Sequence, residues 1–333
     1  MKRREFITLL GGASAPLLLA PFTARAQQRE RVRRIGVLIS LTQGDPESQG
    51  WMKAFAQRLQ SLGWTPGRNI HVDYRWAGGA RESTRIAAAE LVAMAPEVIV
   101  ADGTTTVLAV QRAAPTMPIV FVLVPDPVGA GIVPSLARPG GNLTGFTHYE
   151  YQTAGKWLDT LKEIAPGVSR ALVLTRDPTT APGSLALAAV EAAGRSLRVQ
   201  VVSAPTSEAI DFERAINSFA AVPNGGLVVL PTVVTSIHRE LIVALAARHR
   251  LPAVYPYRHF TEAGGLLSYS IDATEQFRQA ASYVDRILRG EKPADLPVQA
   301  PVKYETVLNL KTAKALGLDV PASVLVRADE VIE

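Results

Sequence analysis

Three consecutive threonines at a predicted strand-to-helix junction offer the clearest binding chemistry in this sequence. The run Asp102–Thr106 lies between the predicted strand Glu97–Ala101 and the predicted helix Thr104–Ala113. Hydroxyl groups and the free backbone N–H groups of a helix start can bind a ligand carboxylate, assisted by the helix dipole. Thr104 and Thr105 are therefore candidate ligand-binding residues. One of them could instead act only as the helix N-cap, and the sequence leaves this alternative open.

Two further hydroxyl residues, Ser40 and Thr42, follow the predicted strand Arg34–Ser40. The carboxyl ends of parallel strands lie at one edge of an open α/β sheet, and ligands bind outside that edge. Ser40 and Thr42 are therefore candidates to donate hydrogen bonds to an anionic or polar ligand group. Serine and threonine are also common in plain turns, and that role stays open for both.

Two aspartates are candidates to accept hydrogen bonds from a ligand amine. Asp126 follows the predicted strand Pro118–Val124 and precedes Pro127, so it is expected in an extended conformation at the edge of the crevice. Asp272 precedes the predicted helix Thr274–Arg289. Each also has a structural alternative, since Asp126 could hold an Asx-type turn and Asp272 could cap its helix.

Side chains after the strands of the second half are candidates for the opposite wall of the crevice. Asp177 follows the predicted strand Arg170–Thr175, and Thr232 follows the predicted strand Gly226–Leu230. Tyr255 ends another predicted strand, where its ring could stack on a ligand ring or cover an apolar ligand body. Packing in the core is the alternative for every tyrosine near the crevice. These tyrosines are Tyr149, Tyr151, Tyr255 and Tyr257.

The motifs of nucleotide-dependent and nucleophilic enzymes are absent from the sequence. The first strand leads into Ser40–Gly44 instead of a G-x-G-x-x-G turn, and neither a G-x-x-x-x-G-K-[ST] loop nor a G-x-S-x-G elbow occurs. The five histidines stand singly, without the spacing that brings two of them onto one metal ion. We therefore expect no catalytic residue, no metal site and no cofactor.

Short β-branched runs alternate with helical stretches along the chain, which is the pattern of parallel sheets built from βαβ units. This pattern predicts an α/β fold of two doubly wound, Rossmann-like parallel-sheet lobes with a ligand crevice between them. The predicted strands are Arg34–Ser40, Asn69–Arg75, Glu97–Ala101, Pro118–Val124 and Asn142–Thr147 in the first half, and Arg170–Thr175, Arg198–Ser203, Gly226–Leu230, Pro252–Tyr255 and Gly265–Ile271 in the second.

The joint between the halves is predicted near Thr147–Thr153. We expect residues 31–148 and about 272–300 to form the N-terminal lobe. Residues 149–271 and about 301–333 should form the C-terminal lobe. Hinge strands would then connect the two lobes.

Residues 1–26 have the pattern of a cleaved export signal. A basic start at Lys2–Arg4 is followed by the apolar stretch Phe6–Ala20, and Ala24–Ala26 offers small residues before a cut. The pair Arg3-Arg4 also suits twin-arginine export, although ordinary secretory signals share it. About 14 apolar residues are too few to cross a bilayer, which needs about 20. We therefore expect a soluble periplasmic protein.

Composition argues against a nucleic-acid partner. The net charge is +5, but residues 1–26 hold four of the 35 Lys and Arg and one of the 30 Asp and Glu, which leaves +2 for the remainder. No basic run with interleaved aromatic residues is present. The chain has no cysteine, so burial alone must stabilise it in an oxidising compartment.

Three segments carry a family resemblance: KRREFITLLGGA at the start, VLVPDPVGAGIVPSLARPGGNLTGFT in the middle and VLNLKTAKALGLDVPASVLVRADEVIE at the end. The chain resembles ABC-transporter substrate-binding proteins of the type I periplasmic-binding-protein fold, a family that includes an aromatic amino-acid binder. The resemblance covers essentially the whole mature chain. It implies a bilobal receptor with three hinge crossings, which hands its ligand to a membrane permease driven by a separate ATPase.

These observations predict a monomeric solute-binding component of an ABC-type importer that closes its lobes around a small polar ligand. An α-amino acid, aromatic in view of the tyrosines, is the leading ligand class. Two alternatives stay open: the same fold could dock on a membrane receptor as a sensor, or the chain could be an exported α/β enzyme. The enzyme alternative lacks a suitable residue pair in the sequence.

Overall fold

The computed structural model describes residues 32–149, 151–175, 181–301 and 304–333. The predicted leader and Asp177 lie outside these residues. The described residues form two sheets flanked by helices, which confirms the predicted α/β fold. No helix in the described ranges is both long enough and apolar enough to span a bilayer.

Helices and strands alternate regularly in the first lobe. In chain order they are β1 Arg33–Ile39, α1 Pro46–Ser61, β2 Ile70–Trp76, α2 Arg81–Ala93, β3 Val98–Asp102, α3 Gly103–Ala113, β4 Ile119–Val124 and β5 Leu143–Thr147. All paired strands run parallel, and their order in the sheet is β2-β1-β3-β4-β5.

The second lobe begins after a 3-10 turn at Tyr151–Ala154. Its elements are α4 Gly155–Ile164, β6 Arg170–Thr175, α5 Ala181–Leu197, β7 Gln200–Pro205, α6 Ala209–Ala220, β8 Gly225–Val229, α7 Val233–Ile237, α8 Arg239–Arg248, β9 Ala253–Tyr255, α9 Arg258–Glu262 and β10 Leu267–Ser270. The chain continues with α10 Ala273–Leu288, a 3-10 turn at Pro293–Asp295, β11 Glu305–Asn309, α11 Leu310–Leu316, α12 Ala322–Arg327 and β12 Glu330–Ile332.

The sheet of the second lobe has the order β12-β11-β10-β9-β8-β6-β7 and is not purely parallel. Strands β10 and β11 pair antiparallel, with Leu267 opposite Leu308 and Ser270 opposite Glu305. The chain leaves this lobe after Ser270 and re-enters it near Glu305, so β11 must run back along β10. The prediction of a fully parallel sheet is therefore wrong at this one pairing.

The chain passes between the lobes after β5, between β10 and α10, and before β11. On its last passage it runs beside β5, because the Gln299 N–H donates to the Gly145 carbonyl at 2.9 Å and the Thr147 N–H donates to the Gln299 carbonyl at 2.9 Å. The first lobe thus takes back α10 from the later part of the chain, and the second lobe takes β11 and β12.

Helix layers cover both faces of the first sheet, as continuous apolar parallel strands require. Val37 and Ile39 of β1 face a core that includes residues of α1 and α10. Leu38 faces the other core, which includes residues of α2 and α3. Within the first core, Trp51 of α1 stacks on Phe277 of α10 with ring centroids 5.0 Å apart.

Replacing Phe277 tests how strongly α10 supports the first lobe. The side chain is fully buried, so Phe277→Ala should lower the free energy of unfolding by about 3–5 kcal/mol through lost burial and a new cavity. Phe277→Leu, which fills most of that space, should cost less than about 1.5 kcal/mol. Denaturant unfolding followed by tryptophan fluorescence measures both. A loss below about 1 kcal/mol for the alanine variant would show that α10 is dispensable to this core.

Candidate functional site

A cavity of about 580 Å³ lies where the carboxyl ends of strands from both sheets come together. Lining residues come at or just after the ends of β1, β3, β4 and β5 in the first lobe and of β6, β7, β8 and β9 in the second. Ligands of open α/β sheets bind at this edge. The polar and aromatic residues that line the cavity are Ser40, Trp51, Arg81, Asp102, Thr104, Thr105, His148, Tyr149, Tyr151, Thr175, Ser207, Thr232, Ser236 and Tyr257.

Thr104 and Thr105 lie in the first turn of α3 and line the cavity. The alternative that one of them caps the helix is wrong, because α3 begins at Gly103 and its N-cap position is Asp102. The Asp102 side chain makes no capping hydrogen bond. Since the first N–H groups of a helix have no intrahelical partner, the start of α3 presents amide and hydroxyl donors to the cavity.

Asp102 presents a buried carboxylate beside those donors. Its Oδ1 accepts a hydrogen bond from the Ser40 backbone N–H at 2.6 Å, and its Oδ2 accepts one from the Ser40 hydroxyl at 2.5 Å. Burial raises the pKa of Asp102 to about 6, while the Ser40 hydrogen bonds act in the opposite direction. The carboxylate is therefore mostly ionised at neutral pH and can pair with a cation.

Asp102 was not predicted as a site residue. The available signal was its position as the last residue of an apolar, wholly buried strand, because a carboxylate there must be paired or functional. Ser40, which was predicted, lines the cavity but uses its hydroxyl to hold Asp102. It therefore acts on the site through that carboxylate.

Thr42 does not line the cavity. Its side chain is exposed, and its carbonyl accepts from the Asp45 N–H at 3.2 Å and from the Ser48 hydroxyl at 3.0 Å. It therefore belongs to the turn that leads into α1, which is the structural alternative raised for it.

The second-lobe wall contains Thr232, which both caps α7 and lines the cavity. Its Oγ1 accepts from the Thr235 N–H at 3.0 Å. Helices α7 and α8 follow β8 and meet at His238. Thr232 and Ser236 therefore lie on one short helical segment beside the cavity.

Two further hydroxyl residues of this wall, Thr175 and Ser207, were not predicted. Both lie at or after the carboxyl end of a strand, β6 and β7 respectively. The rule that selected Thr232 would also have selected them. Asp177, which was predicted for this wall, falls outside the described residues.

Aromatic rings of both lobes surround the remaining wall. The Tyr257 ring stacks on His148 with centroids 5.3 Å apart, and Tyr149 contacts both His148 and Tyr151 edge-on. Burial lowers the pKa of His148 to about 3, so this ring is neutral at physiological pH. Trp51 also lines the cavity, and its buried indole N–H has no hydrogen-bond partner.

The Tyr257 hydroxyl lies near acidic groups. Burial is the largest cause that raises the pKa of Tyr257 above its ordinary value, and Tyr149, Asp102 and Glu47 raise it further. Tyr257 belongs to the second lobe, whereas Asp102 and Glu47 belong to the first. Of these two acids, Asp102 lines the cavity, so it is the group on this side that can attract a cation.

Besides Thr42, three predicted site residues take structural positions away from the cavity. Tyr255 is 1% exposed and stacks on Phe260 in a core of the second lobe, because it still lies within β9. Tyr257, two residues later, has passed the end of the strand and lines the cavity instead.

The other two are aspartates used by the backbone. Asp126 has a φ of 39°, so the predicted extended conformation is wrong, and its Oδ1 accepts from the Gly129 N–H at 2.9 Å, which holds the turn after β4. The Asp272 Oδ1 accepts from the Glu275 N–H at 3.0 Å and caps α10. Both therefore adopt their structural alternatives. Within the described ranges, no cluster of three or more metal-ligating side chains occurs.

In the described part of the chain, an ion pair and a histidine–glutamate contact join the lobes. Arg239 of α8 lies 2.7 Å from Asp45, the N-cap residue of α1, and these side chains are only 15% and 6% exposed. The Nδ1 atom of His259 in α9 lies 3.3 Å from Glu47 Oε1. Opening the lobes would separate both pairs, so these contacts favour the arrangement seen here.

Comparisons with known proteins assign the chain to a family. A family model described as ABC transporter substrate binding protein matches residues 37–332. A curated "Tyrosine-binding protein" from Clostridioides difficile (strain R20291) is 25% identical over 272 residues, which make up 80% of this chain and 76% of that protein.

Solved structures share the fold over most of the chain. A conserved domain protein from Vibrio cholerae O1 biovar El Tor is 26% identical with a TM-score of 0.83, covering 90% of this chain and 100% of its own. An ABC domain from Streptococcus pneumonia in complex with L-Trp is 23% identical with a TM-score of 0.81, covering 90% and 99% respectively.

The Asp45–Arg239 pair can be tested in the ligand-free protein. Arg239→Met leaves the Asp45 carboxylate buried without its cation as long as the lobes touch, a penalty of about 3–5 kcal/mol. Opening returns that carboxylate to water, so small-angle scattering should report a larger radius of gyration than for the wild type. Arg248→Met, at an exposed position of the same helix, is the matched control and should leave the curve unchanged. Identical curves for both variants would contradict a role of the pair in closure.

Proposed function

We propose, from the premise that the chain belongs to the ABC transporter substrate binding protein family, that it captures an aromatic α-amino acid between its lobes. In this proposal it works in the periplasm, to which residues 1–26 direct it, and delivers the ligand to a membrane permease. Capture needs no chemical change in the ligand. One relative is named as a tyrosine-binding protein and one structural relative holds L-Trp, which supports this part of the proposal.

The observation that carries the proposal is that a carboxylate, which attracts a cation, lies next to hydrogen-bond donors, which attract an anion, at the start of α3. An α-amino acid bears its ammonium and carboxylate groups on the same carbon, so it needs an acceptor and a set of donors side by side. Asp102 provides a buried carboxylate. Thr104, Thr105 and the N–H groups of the same helix start follow it directly and provide the donors.

Aromatic rings support an aromatic ligand side chain. Tyr149, Tyr151 and Tyr257 line the cavity together with neutral His148 and Trp51. Aromatic pairs add about 0.5–1.5 kcal/mol beyond the burial of area, provided that they stack or meet edge to face. The curated relative is named as a tyrosine-binding protein, and one structural relative holds L-Trp. Both names agree with this ligand class.

The cavity walls belong to different lobes, and ligand-dependent closure follows from this. Asp102 and Thr105 come from the first lobe, whereas Thr232 and Tyr257 come from the second. A ligand that touches both walls stabilises the closed arrangement only through contacts that the open arrangement lacks. The lobes can then rotate about the segments that connect them.

Binding of aromatic amino acids is the first test. Protein lacking residues 1–26 should be stabilised by L-tyrosine or L-tryptophan, by about 2.7 kcal/mol at a ligand concentration 100 times Kd. Calorimetric titration and thermal unfolding measure this effect. The absence of any response to the aromatic amino acids would reject this ligand class.

Two analogues serve as controls for the amino-acid head group. L-tyrosine amide lacks the carboxylate, and 3-(4-hydroxyphenyl)propionate lacks the ammonium group. Each loses charge-assisted hydrogen bonds worth about 1.5–3 kcal/mol, so each should bind roughly 10- to 100-fold more weakly than L-tyrosine. Equal affinities would show that the start of α3 does not recognise the head group.

The pKa of Asp102, raised to about 6 by burial, predicts a pH dependence of binding. At pH 5 only about a tenth of this carboxyl is ionised, so affinity for an ammonium ligand falls to about a tenth of its full value. Calorimetry should therefore show about tenfold weaker L-tyrosine binding at pH 5 than at pH 7.5. Asp102→Asn should bind weakly at both values, without this slope. A wild-type affinity that does not change with pH would exclude ionised Asp102 as the partner of the amine.

A further inference from the structure

A second cavity of about 630 Å³ adjoins the cleft. The loop after β4 forms its first-lobe side through Pro127, Val128 and Leu136. Helix α5 of the second lobe forms the other side through Leu185 and three alanines, Ala188, Ala189 and Ala192. Like the main cavity, it is built by both lobes.

The two cavities share exactly two lining residues among the described ones, Tyr149 and Tyr151. Their rings meet edge-on with centroids 5.8 Å apart. Both side chains are nearly buried, at 5% and 4% exposed. Two adjoining rings that contact both spaces act as a partition between them.

Of these two rings, Tyr149 is the more firmly held. It packs edge-on against His148, Tyr151 and Trp157, and its backbone carbonyl accepts from the Asp126 N–H. Among the aromatic rings of the described residues, Tyr151 pairs with Tyr149 alone, and its hydroxyl donates to the Pro125 carbonyl at 3.2 Å. Removing the Tyr151 ring therefore opens the partition with the smaller disturbance.

The lining of the second cavity defines what it can accept. Most of its side chains are apolar, and its one charged group is Asp126. The Asp126 Oδ1 is already used by the Gly129 N–H, and a carboxylate repels anionic groups. The space therefore suits an uncharged apolar group, such as a second aromatic ring attached to the first.

We infer that Tyr151 sets the maximum length of the ligand by closing the cleft against an apolar subsite in the second cavity. This inference rests on the proposed function, since the ligand must enter with its aromatic side chain toward the tyrosines. In the wild type the ligand ends at the Tyr149–Tyr151 partition. Without the Tyr151 ring, a para-extended aromatic side chain continues between the loop after β4 and α5.

The experiment compares L-phenylalanine with 4-phenyl-L-phenylalanine, which carries a second ring in the para position. Calorimetric titrations of the wild type should show at least tenfold tighter binding of L-phenylalanine. For Tyr151→Ala the two affinities should come within about threefold of each other. Tyr151→Phe keeps the ring and loses only the hydrogen bond to Pro125, so it should discriminate like the wild type.

A substitution on the far side of the partition provides a second arm. Ala188 is an exposed position of α5 that lines the second cavity. Ala188→Trp fills that space, so it should leave L-phenylalanine binding unchanged in the wild-type background. Combined with Tyr151→Ala, it should restore at least tenfold discrimination. Tyr151→Leu, which keeps more of the buried volume, replaces the alanine variant if circular dichroism shows that the latter is unfolded.

The outcomes separate the two proposals. A wild type that binds no aromatic amino acid rejects the proposed function and this inference with it. A wild type that binds L-phenylalanine, together with a Tyr151 variant that keeps the wild-type ratio, rejects the partition alone. Equal binding of both ligands by the wild type also overturns it, because the second cavity would then already be open to the cleft.

Discussion

In the proposed function, the hydrogen bonds from Ser40 to Asp102 determine what the cleft can bind. They tie the end of β1 to the end of β3 and occupy the carboxylate that would otherwise cap α3. The helix start then keeps its N–H donors for a ligand, with a negative group directly beside them. If Asp102 turned back onto its own helix, the cleft would lose both its acceptor and its donors.

The same burial carries a cost for folding. Because burial raises the pKa of Asp102 above its ordinary value, the stability linked to this group is present at low pH and is lost as the pH rises through about 6. A cationic ligand offsets that cost by stabilising the ionised form. The ionised carboxylate therefore destabilises the empty protein, and a bound cation relieves that destabilisation. Groups with shifted pKa values of this kind are common at binding sites. The interlobe pair of Asp45 and Arg239 differs, since it exists only while the lobes touch and favours closure with or without a ligand.

Position after a strand was the rule that selected site residues from the sequence, and its results show its limits. It selected Thr104, Thr105 and Thr232 among the residues that line the cavity. It misplaced Tyr255, because a residue within the strand lies in the core and a residue beyond its end lies in the cleft. The local sequence pattern does not place the end of a strand to within two residues. It also selected Asp126 and Asp272 as candidate ligand partners, and in both cases the structural alternative holds, because nearby backbone N–H groups compete for the carboxylate.

The sequence by itself determined the α/β class, the two-lobe organisation and the hydroxyl-rich start of α3, because these depend on periodicity and on neighbours along the chain. Only the tertiary structure decided that Asp102 bonds to Ser40, that β11 runs antiparallel to β10, and that Tyr151 stands between two cavities. Each of these joins segments whose meeting depends on how strands and lobes pack. Contacts of that kind are set by the competition among all buried groups for space and hydrogen bonds, which a reading of local pattern does not contain.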